Sequence, residues 1–376
     1  MKSLIKSREF VGDGMRLHLT YGLNIGGCET QMFNLAKEYA KRGLQEKVIF
    51  CSFSQPGIAA KKIEELGFQV YCLSLNIWEK PLRSFASAIR FLKKKNIELL
   101  ITTGLEANVF GCLAAKAAHI PRIVTEEIGI YNYSIKQRTV LRFSLRMADY
   151  NFAVSNIVLQ NLLNQKLIRK GKGFVSYAPL DLKRKSTKLL PLDGNVNLLY
   201  LGRIHPEKNL ELLISSLGEV RDRNCENFRL EIVGVQSSGE RRLVEKLVQL
   251  HKLEKFVIVF DATSNIEQHI DGCNFLVQSS RTEGMGFSVL EAMSRGRPVI
   301  STNVGIVPEI IDPGINGLIS KSQSQSDYLS ALFTAILMGR GEYEAMVSRV
   351  LETSLSFVET STYLDLIDSL GRKTYS

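Results

Sequence analysis

The sequence lacks several features that define specialised classes of protein. Its six cysteines, at positions 28, 51, 72, 112, 225 and 273, form no Cys-x-x-Cys pair and have no histidine at metal-ligand spacing. This pattern argues against a disulfide framework or a zinc site and predicts reduced thiols. No stretch approaches ~18 uninterrupted apolar residues, so we expect no membrane-spanning helix. The basic N-terminal residues carry no apolar core of a secretory signal, and we expect a cytoplasmic protein.

What the chain does contain is an uneven distribution of charge. Its 376 residues, 45% apolar and 23% charged, suit a folded protein of two domains. Residues 1–180 contain 26 Lys and Arg against 13 Asp and Glu, whereas residues 181–376 contain 22 against 25. The positive excess therefore lies in the first part. It predicts an anionic partner such as nucleic acid, an anionic bilayer or a phosphorylated acceptor.

Two predicted helices of the first part concentrate these basic residues. Arg90 and 93–95 lie in one helix, and Arg138, Arg142 and Arg146 recur every four residues in the other, with apolar residues between them. The second pattern fits a basic amphipathic helix on an anionic membrane surface. It fits equally a helix that packs its apolar side on a sheet and solvates its arginines, and the sequence leaves both interpretations open.

Alternating strand and helix patterns predict an α/β protein with parallel sheets and right-handed crossovers. One series occupies residues 15–177, and a second begins at Val196 after a polar segment, 181–195, which we interpret as a linker. One strand of the first series is predicted over 122–125. Its end, at Glu126 and Glu127, is expected to reach a cleft.

The most informative stretch runs from Cys273 to Ile319 and combines a strand, a glycine loop and a helix. Glu283 and Glu291 bracket the loop with seven residues between them, so they can flank one ligand. Such a junction offers unpaired backbone N–H groups and a positive helix end to an anion. A second turn, at Gly305, follows the next predicted strand and forms another strand-to-helix junction of the same kind.

Two further strand-to-helix junctions point to an anion. Arg203 and Lys208 bracket the turn that follows the strand beginning at Val196, where a guanidinium fork and an ammonium point charge suit a diphosphate. Gly26 and Gly27 join the first strand to the first helix, which alone is a weak phosphate signal.

The Cys273–Ile319 stretch resembles the donor-binding signature of retaining glycosyltransferases of the GT-B fold, in particular glycosyltransferase family 4 (glycosyl transferases group 1). The matching residues are Glu283, Glu291, Ala292, Met293, Gly296, Pro298, Val299 and Ile300. The turn from Arg203 to Lys208 and the Gly26-Gly27 loop also resemble motifs of this family.

The resemblance implies an α/β protein of GT-B architecture, with two Rossmann-like domains facing a cleft. We expect an acceptor-side domain at 1–180, a nucleotide-sugar-binding domain at 181–355, and a C-terminal helix within 356–376 that crosses back to the first. The implied reaction moves a sugar, with retention, from a UDP- or GDP-sugar to a glycan or lipid-linked acceptor. Its setting would be cell-surface polysaccharide or glycolipid biosynthesis.

The resemblance also assigns site residues. The expected catalytic residues are Glu283, Arg203 and Lys208, and the expected donor-binding residues are Gly26, Gly27, Gly284, Met285, Gly286, Phe287, Ser288, Val289 and Glu291. Glu283 is expected to hold sugar hydroxyls and Glu291 the ribose. We expect no metal and no further cofactor, because the cations would replace a metal and no Asp-x-Asp pair is present. Many relatives carry a histidine near position 126, whose role is not transferred to the glutamates found here.

Two alternatives belong to other functional classes. One is a nucleotide-sugar epimerase of GT-B type, and the other is a non-catalytic module that binds nucleotide sugars or nucleic acid. The first domain lacks the clustered acid and base groups of an epimerase, and few aromatics accompany its basic residues, against single-strand binding. The expected partners are therefore a nucleotide sugar, a glycan or lipid-linked acceptor and an anionic membrane surface at the inner face, with no nucleic acid.

Overall fold

The computed structural model describes residues 14–24, 26–131, 133–179, 190–192, 194–360 and 363–370. The chain divides into two compact units, one formed by Met1–Asp181 with Ser361–Ser376 and the other by Leu182–Thr360. The predicted boundaries, after residues 180 and 355, lie beside these limits. Most of the predicted linker falls outside the described residues.

The first unit is built on a parallel sheet. Its described strands are β1 (Met15–Thr20), β2 (Val48–Ser52), β3 (Gln69–Cys72), β4 (Ile97–Thr103), β5 (Arg122–Glu127), β6 (Tyr150–Ala153) and β7 (Gly173–Val175). They pair in the order β3-β2-β1-β4-β5-β6-β7. Apolar strand residues are buried on both faces, as in any parallel sheet that carries helices on both sides.

Helices cover both faces of this sheet. They are α1 (Gly27–Lys41), α2 (Ile58–Glu65), α3 (Pro81–Lys94), α4 (Cys112–Ala117), α5 (Ile135–Met147) and α6 (Asn156–Asn164). Ala107–Gly111 forms a π-helical turn directly ahead of α4. This turn carries Asn108, whose buried amide donates to the backbone oxygen of Glu126 at 2.9 Å.

The second unit repeats the design with a smaller sheet. Its described strands are β8 (Val196–Leu201), β9 (Phe228–Val235), β10 (Val257–Asp261), β11 (Phe275–Gln278), β12 (Val299–Thr302) and β13 (Gly317–Ser320). They pair in parallel in the order β10-β9-β8-β11-β12-β13. The helices are α7 (Leu210–Asp222), α8 (Ser238–Leu250), α9 (Ile266–Gly272), α10 (Phe287–Ser294), α11 (Val307–Ile310), α12 (Gln325–Ile336) and α13 (Arg340–Thr360). The predicted α/β class is confirmed.

The strand order of each sheet reverses once. In the first sheet the chain leaves β1 towards β2 and β3 and returns on the other side at β4; in the second it leaves β8 towards β9 and β10 and returns at β11. Open α/β sheets bind ligands outside the carboxyl ends of their strands at such switch points. Three predicted loops follow β1, β8 and β11: they carry Gly26 and Gly27, Arg203 and Lys208, and Glu283, respectively. The topology therefore places all three loops at the switch points.

The helix α14 (Tyr363–Leu370) belongs to the first unit, although the whole second unit separates it in sequence from the rest of the first. Its apolar side joins the core that α1 and β2 line. Asp368 pairs with Arg16 of β1 at 2.8 Å, and the Arg16 side chain is only 4% exposed. Asp365 pairs with Arg42 at 3.0 Å in a largely exposed position.

Asp368→Asn and Asp365→Asn form a matched pair of variants on α14. Asp368→Asn should lower the free energy of unfolding of the first unit by about 3 kcal/mol, because it leaves the charge of buried Arg16 without its carboxylate. Asp365→Asn should cost at most about 1 kcal/mol, since its ion pair is exposed. Urea titrations of both variants test this, and equal losses would contradict it.

No helix in the described part of the chain combines the length and the apolar character needed to cross a bilayer. All six cysteines, each of which the structure describes, are free thiols, as their spacing predicts.

Candidate active site

The switch point of the second sheet brings two loops together. One loop, residues 202–209, follows β8, and the other, residues 279–286, follows β11, its direct neighbour in the sheet. Because parallel strands end at the same edge, the loops meet above that edge. Arg203, Lys208 and Glu283, which the sequence predicts to be catalytic, all lie in these two loops.

Backbone contacts tie the two loops to each other. The N–H of Arg281 donates to the backbone oxygen of Glu207 at 2.7 Å. The hydroxyl of Ser279 donates to the backbone oxygen of Lys208 at 3.1 Å. Residues predicted separately, from two distant motifs, are therefore held at fixed separation by the loops that carry them.

Lys208 and Glu283 form an ion pair across the loops. Nζ of Lys208 donates to Oε1 of Glu283 at 2.5 Å, and the hydroxyl of Ser280 donates to the same oxygen at 2.7 Å. The side chains of Lys208 and Glu283 are 27% and 11% exposed, so the pair is largely removed from water yet reachable from it. A charge-assisted hydrogen bond in this setting fixes the direction of both groups.

Arg203 stands at the start of the first loop with an exposed side chain. Its backbone oxygen accepts a hydrogen bond from the Tyr200 hydroxyl at 2.9 Å, which anchors the main chain to β8. The loop then closes through a short 3₁₀ turn, Pro206–Lys208, and Asn209 takes a left-handed conformation, φ 50°, before α7 begins. One loop thus presents both a guanidinium and an ammonium group.

The second loop ends at the start of α10. Gly286 precedes the helix with φ 96°, a conformation that favours glycine. The N–H of Val289 donates to the oxygen of Gly286 at 3.1 Å, whereas those of Phe287 and Ser288 precede the intrahelical ladder. The side chains of Met285 and Val289 are buried, so these two predicted donor-binding residues can reach a ligand only through their backbone.

A glycine turn after β12 packs against this loop and holds it in place. The N–H of Ile306 donates to the oxygen of Met285 at 2.8 Å. At Gly305, where φ is 58°, a Cβ atom would lie 2.6 Å from that same oxygen and 2.8 Å from Cβ of Glu283. Only glycine permits this approach. The sequence identifies Gly305 as a turn residue, but its support of Glu283 becomes visible only in the structure.

Glu291 lies on α10, one turn beyond Phe287. Burial raises the pKa of its carboxyl to about 7, and the nearby carboxylate of Glu267 on α9 contributes to the same shift. A carboxyl group that titrates near neutral pH next to a loop rich in N–H donors is typical of a functional position. Gly284 lies between the two predicted glutamates and is half-buried.

Gly26 and Gly27 belong to the first unit, at the switch point between β1 and β4. Gly26 precedes α1, and its backbone oxygen accepts from the N–H and the hydroxyl of Thr30 at 3.0 and 2.9 Å. The predicted loop is therefore a true strand-to-helix junction. Its contact with a donor remains a prediction.

The expectation that Glu126 and Glu127 reach a cleft is wrong for their side chains, because β5 continues through both residues and buries them fully. Thr103 donates to Oε2 of Glu126 at 2.8 Å, and Asn108 donates to Oε1 of Glu127 at 2.6 Å. Neighbouring strand residues point to opposite faces, so the two carboxyls lie on different sides of the sheet. Burial raises the pKa of each to about 7.

Glu127→Gln should change how stability depends on pH. The folded-state pKa lies above the unfolded value, so folded protein binds more protons at intermediate pH and loses stability as pH rises from about 4.5 to about 7. The amide removes this loss. We therefore compare the free energy of unfolding of the variant with that of wild type at each pH. This difference should shift in favour of the variant by about 2–3 kcal/mol between about pH 5 and about pH 8.

Denaturant unfolding at the two pH values measures this difference. Glu64→Gln, an exposed glutamate on α2, is the matched control and should follow wild type at both. A Glu127→Gln profile parallel to wild type would show that the buried carboxyl does not titrate as described.

The described residues contain no group of three or more His, Cys, Asp and Glu side chains that could hold a metal ion. A diphosphate can bring its own divalent ion to a site, so this observation does not decide whether the reaction needs one. Independence from metal remains a prediction.

Two family models match the chain. Residues 25–184 match the model described as Glycosyltransferase Family 4, and residues 183–351 match the one described as Glycosyl transferases group 1. The chain belongs to the group 1 glycosyltransferases of the family 4 type, as its signature indicates.

Curated relatives carry related descriptions. The "Uncharacterized glycosyltransferase MJ1178" of Methanocaldococcus jannaschii is 27% identical over 225 residues, 58% of this chain and 59% of the relative. One component of the phosphatidylinositol N-acetylglucosaminyltransferase of Arabidopsis thaliana is 27% identical over 309 residues, 77% of this chain and 66% of the relative. The matched part thus spans less than two thirds of either relative.

A solved structure shows the fold. The crystal structure of Anabaena Alr3699/HepE in complex with UDP superposes with a TM-score of 0.80 at 19% identity, over 95% of this chain and 99% of that one. The predicted α/β fold of GT-B architecture is confirmed.

Proposed function

We propose that this protein is a retaining glycosyltransferase that moves a sugar from a nucleotide sugar to a glycan or lipid-linked acceptor. The observation that carries the proposal is the Lys208–Glu283 ion pair, which lies with Arg203 at the switch point between β8 and β11. Two cations are thereby held where an open parallel sheet binds phosphate groups. UDP- and GDP-sugars are the donors we propose, and the Anabaena structure is a complex with UDP.

The proposed chemistry is stabilisation of a leaving group. As the glycosidic bond breaks, the nucleoside diphosphate gains negative charge, and preorganised cations and N–H groups lower the energy of that state. Arg203 offers a guanidinium fork to two phosphate oxygens, Lys208 a point charge, and the start of α10 the N–H groups of Phe287 and Ser288. We propose that this set works without a divalent ion or other cofactor.

Glu283 has two tasks in this proposal. Oε1 accepts from Lys208 and Ser280 and thereby directs the ammonium group. Oε2 takes no part in those two contacts and can accept from a hydroxyl of the transferred sugar. Glu291, deeper on α10, would accept from the ribose hydroxyls, while Gly26 and Gly27 stay predicted donor contacts on the strength of the family resemblance.

The proposed acceptor is lipid-linked or part of a cell-surface glycan. The Arabidopsis relative is described as acting on phosphatidylinositol, a lipid, which supports this choice. The excess of basic residues in the first unit suits an anionic acceptor or surface. We accordingly propose a peripheral enzyme of polysaccharide or glycolipid biosynthesis at the cytoplasmic face of a membrane.

Lys208→Ala and Glu283→Ala should each lower the rate of sugar transfer by about 10²–10³, because each removes a preorganised charged contact to the reacting donor. Radiolabelled UDP- and GDP-sugars, with lipid and glycan acceptors and with EDTA present, provide the assay. Lys246→Ala, an exposed lysine on α8, is the matched control.

Near-normal transfer in both variants would refute the assignment of the site. Loss of wild-type activity in EDTA, restored by a divalent ion, would refute metal independence. Interconversion of the donor sugar without any acceptor would favour an epimerase instead.

Binding of UDP-glucose should strengthen about tenfold between about pH 6 and pH 8. The ribose would bind the Glu291 carboxylate, so below the pKa of about 7 binding must first release a proton. The sugar diphosphate itself does not titrate in this range. Calorimetric titrations should show this rise in wild type and none in Glu291→Gln.

Glu267→Gln provides the second variant for this test. Removal of the neighbouring carboxylate should lower the pKa of Glu291 and move the rise in affinity to lower pH. The same pH dependence in wild type and Glu291→Gln would exclude Glu291 from nucleotide binding.

A further inference from the structure

Four large apolar side chains of the first unit are exposed close to basic residues. Trp78 is 69% exposed, Leu82 85%, Ile135 85% and Phe143 61%. Trp78 and Leu82 flank the start of α3, and Ile135 and Phe143 lie on α5. Together with exposed Lys80, Arg83, Lys136 and Arg138 they form what we call the apolar–basic face.

On α5 two of the exposed apolar residues, Ile135 and Phe143, form a ridge. Leu141, Ser144 and Leu145 are buried and fix the inward side of the helix. Ile135 and Phe143 are eight residues apart, with Thr139 between them, so they stand on the opposite side in one line. At 1.5 Å per residue this ridge is about 12 Å long.

The basic residues of α5 divide into two groups. Arg142 donates to the backbone oxygen of Gln165 at 3.4 Å, and Arg146 donates to that of Lys166 at 3.0 Å. These two arginines therefore hold the end of α6, as expected for a helix packed on the sheet. Lys136 and Arg138, nearer the start of α5, flank the ridge and are exposed.

The two parts of the apolar–basic face lie on one side of the sheet. The helix α4 contacts both α3 and α5, so the three helices form one layer. Each of α3 and α5 follows the carboxyl end of a strand and begins at that edge. The starts of the two helices, and with them Trp78, Leu82 and Ile135, accordingly lie along the same edge.

The charge of this face is predominantly positive. Neither α3 nor α5 contains an acidic residue. Glu79 lies between Trp78 and Lys80, and the Asn76 amide donates to its carboxylate at 2.6 Å. Four basic side chains outnumber this carboxylate and that of half-buried Glu106, which precedes the helical segment between α3 and α5, so the surface around the apolar residues is positive.

We infer that the apolar–basic face docks on an anionic lipid bilayer. Exposed tryptophan, leucine, isoleucine and phenylalanine insert at the boundary between headgroups and acyl chains, while the surrounding lysines and arginines attract anionic headgroups. Nucleic acid would use the cations and stack on the two aromatic rings, but it would gain nothing from Leu82 and Ile135, whereas a bilayer accommodates all four apolar side chains. This inference rests on the proposed function, since it supplies the surface on which a lipid-linked acceptor would be met.

The structure separates this face from the other basic cluster that the sequence singles out. Lys93 and Lys94 lie in the last turn of α3, about 15–20 Å along the helix from Leu82. Lys95 packs over the Tyr71 ring at 4.1 Å and hydrogen-bonds its hydroxyl. A variant with serine at 93–95 therefore removes three charges without touching the apolar–basic face and serves as a matched control.

Trp78 is the single tryptophan of the chain, so its fluorescence reports on this face alone. Full-length protein is mixed at low salt with vesicles of equal parts phosphatidylglycerol and phosphatidylcholine, or of phosphatidylcholine alone. We expect flotation with the anionic vesicles, accompanied by a blue shift of Trp78 emission. The double variant Ile135→Ser/Phe143→Ser should bind at least about tenfold more weakly, since two apolar side chains no longer insert.

Each outcome of the experiment decides the proposal. Retained binding in the variant with serine at 93–95, together with loss in the double variant, supports it. Absence of wild-type binding, or binding without a Trp78 shift, overturns it. A wild-type dimer in sedimentation that the double variant abolishes would assign the face to a second copy of the chain and also overturn it.

The binding assay contains no donor and no acceptor, so its failure is distinct from failure of the proposed activity. Protein that floats with vesicles yet transfers no sugar would refute the function and leave the surface standing. Protein that transfers sugar without binding vesicles would refute the surface alone. Apart from half-buried Lys95, the serine substitutions lie at exposed positions, and unchanged thermal unfolding shows that each variant folds.

Discussion

The site depends on one topological constraint, the return of the chain to the opposite side of its first strand in each sheet. In the second sheet, β9 and β11 lie on opposite sides of β8, because the chain moves from β8 to β9 on one side and returns at β11 on the other. No crossover connection therefore covers the carboxyl ends of β8 and β11 where they lie side by side. That edge is open to ligands, and two loops can meet there without a helix between them. The contact of Arg281 with Glu207, and of Lys208 with Glu283, follows from this adjacency.

The sequence was sufficient for the architecture and for the choice of loops. Buried parallel strands are continuous apolar runs and helices have a clear period, so both units could be predicted from pattern alone. The residues at the switch points were found because glycine and paired charge are conspicuous after such strands. Pairing between Lys208 and Glu283 was not predicted, since they stand 75 positions apart and only the strand order makes them neighbours.

Predictions failed where tertiary packing overrides local pattern. Glu126 and Glu127 suggest a polar strand end, yet the π-helical turn supplies Asn108, and Thr103 comes from β4, so one oxygen of each carboxyl accepts a hydrogen bond inside the unit. The arginines of α5 look equivalent at a spacing of four. Only the position of the end of α6 distinguishes those that bond to carbonyl groups from those that face solvent.

The membership of α14 in the first unit has a consequence for synthesis of the chain. The polypeptide leaves the first unit at Asp181 and returns only at Ser361, after the whole second unit. During translation, Arg16 of β1 is made about 350 residues before Asp368, the carboxylate with which it pairs. The first unit is thus the first to be synthesised and the last to be completed, so a chain that ends before α14 lacks part of the core of its opening half.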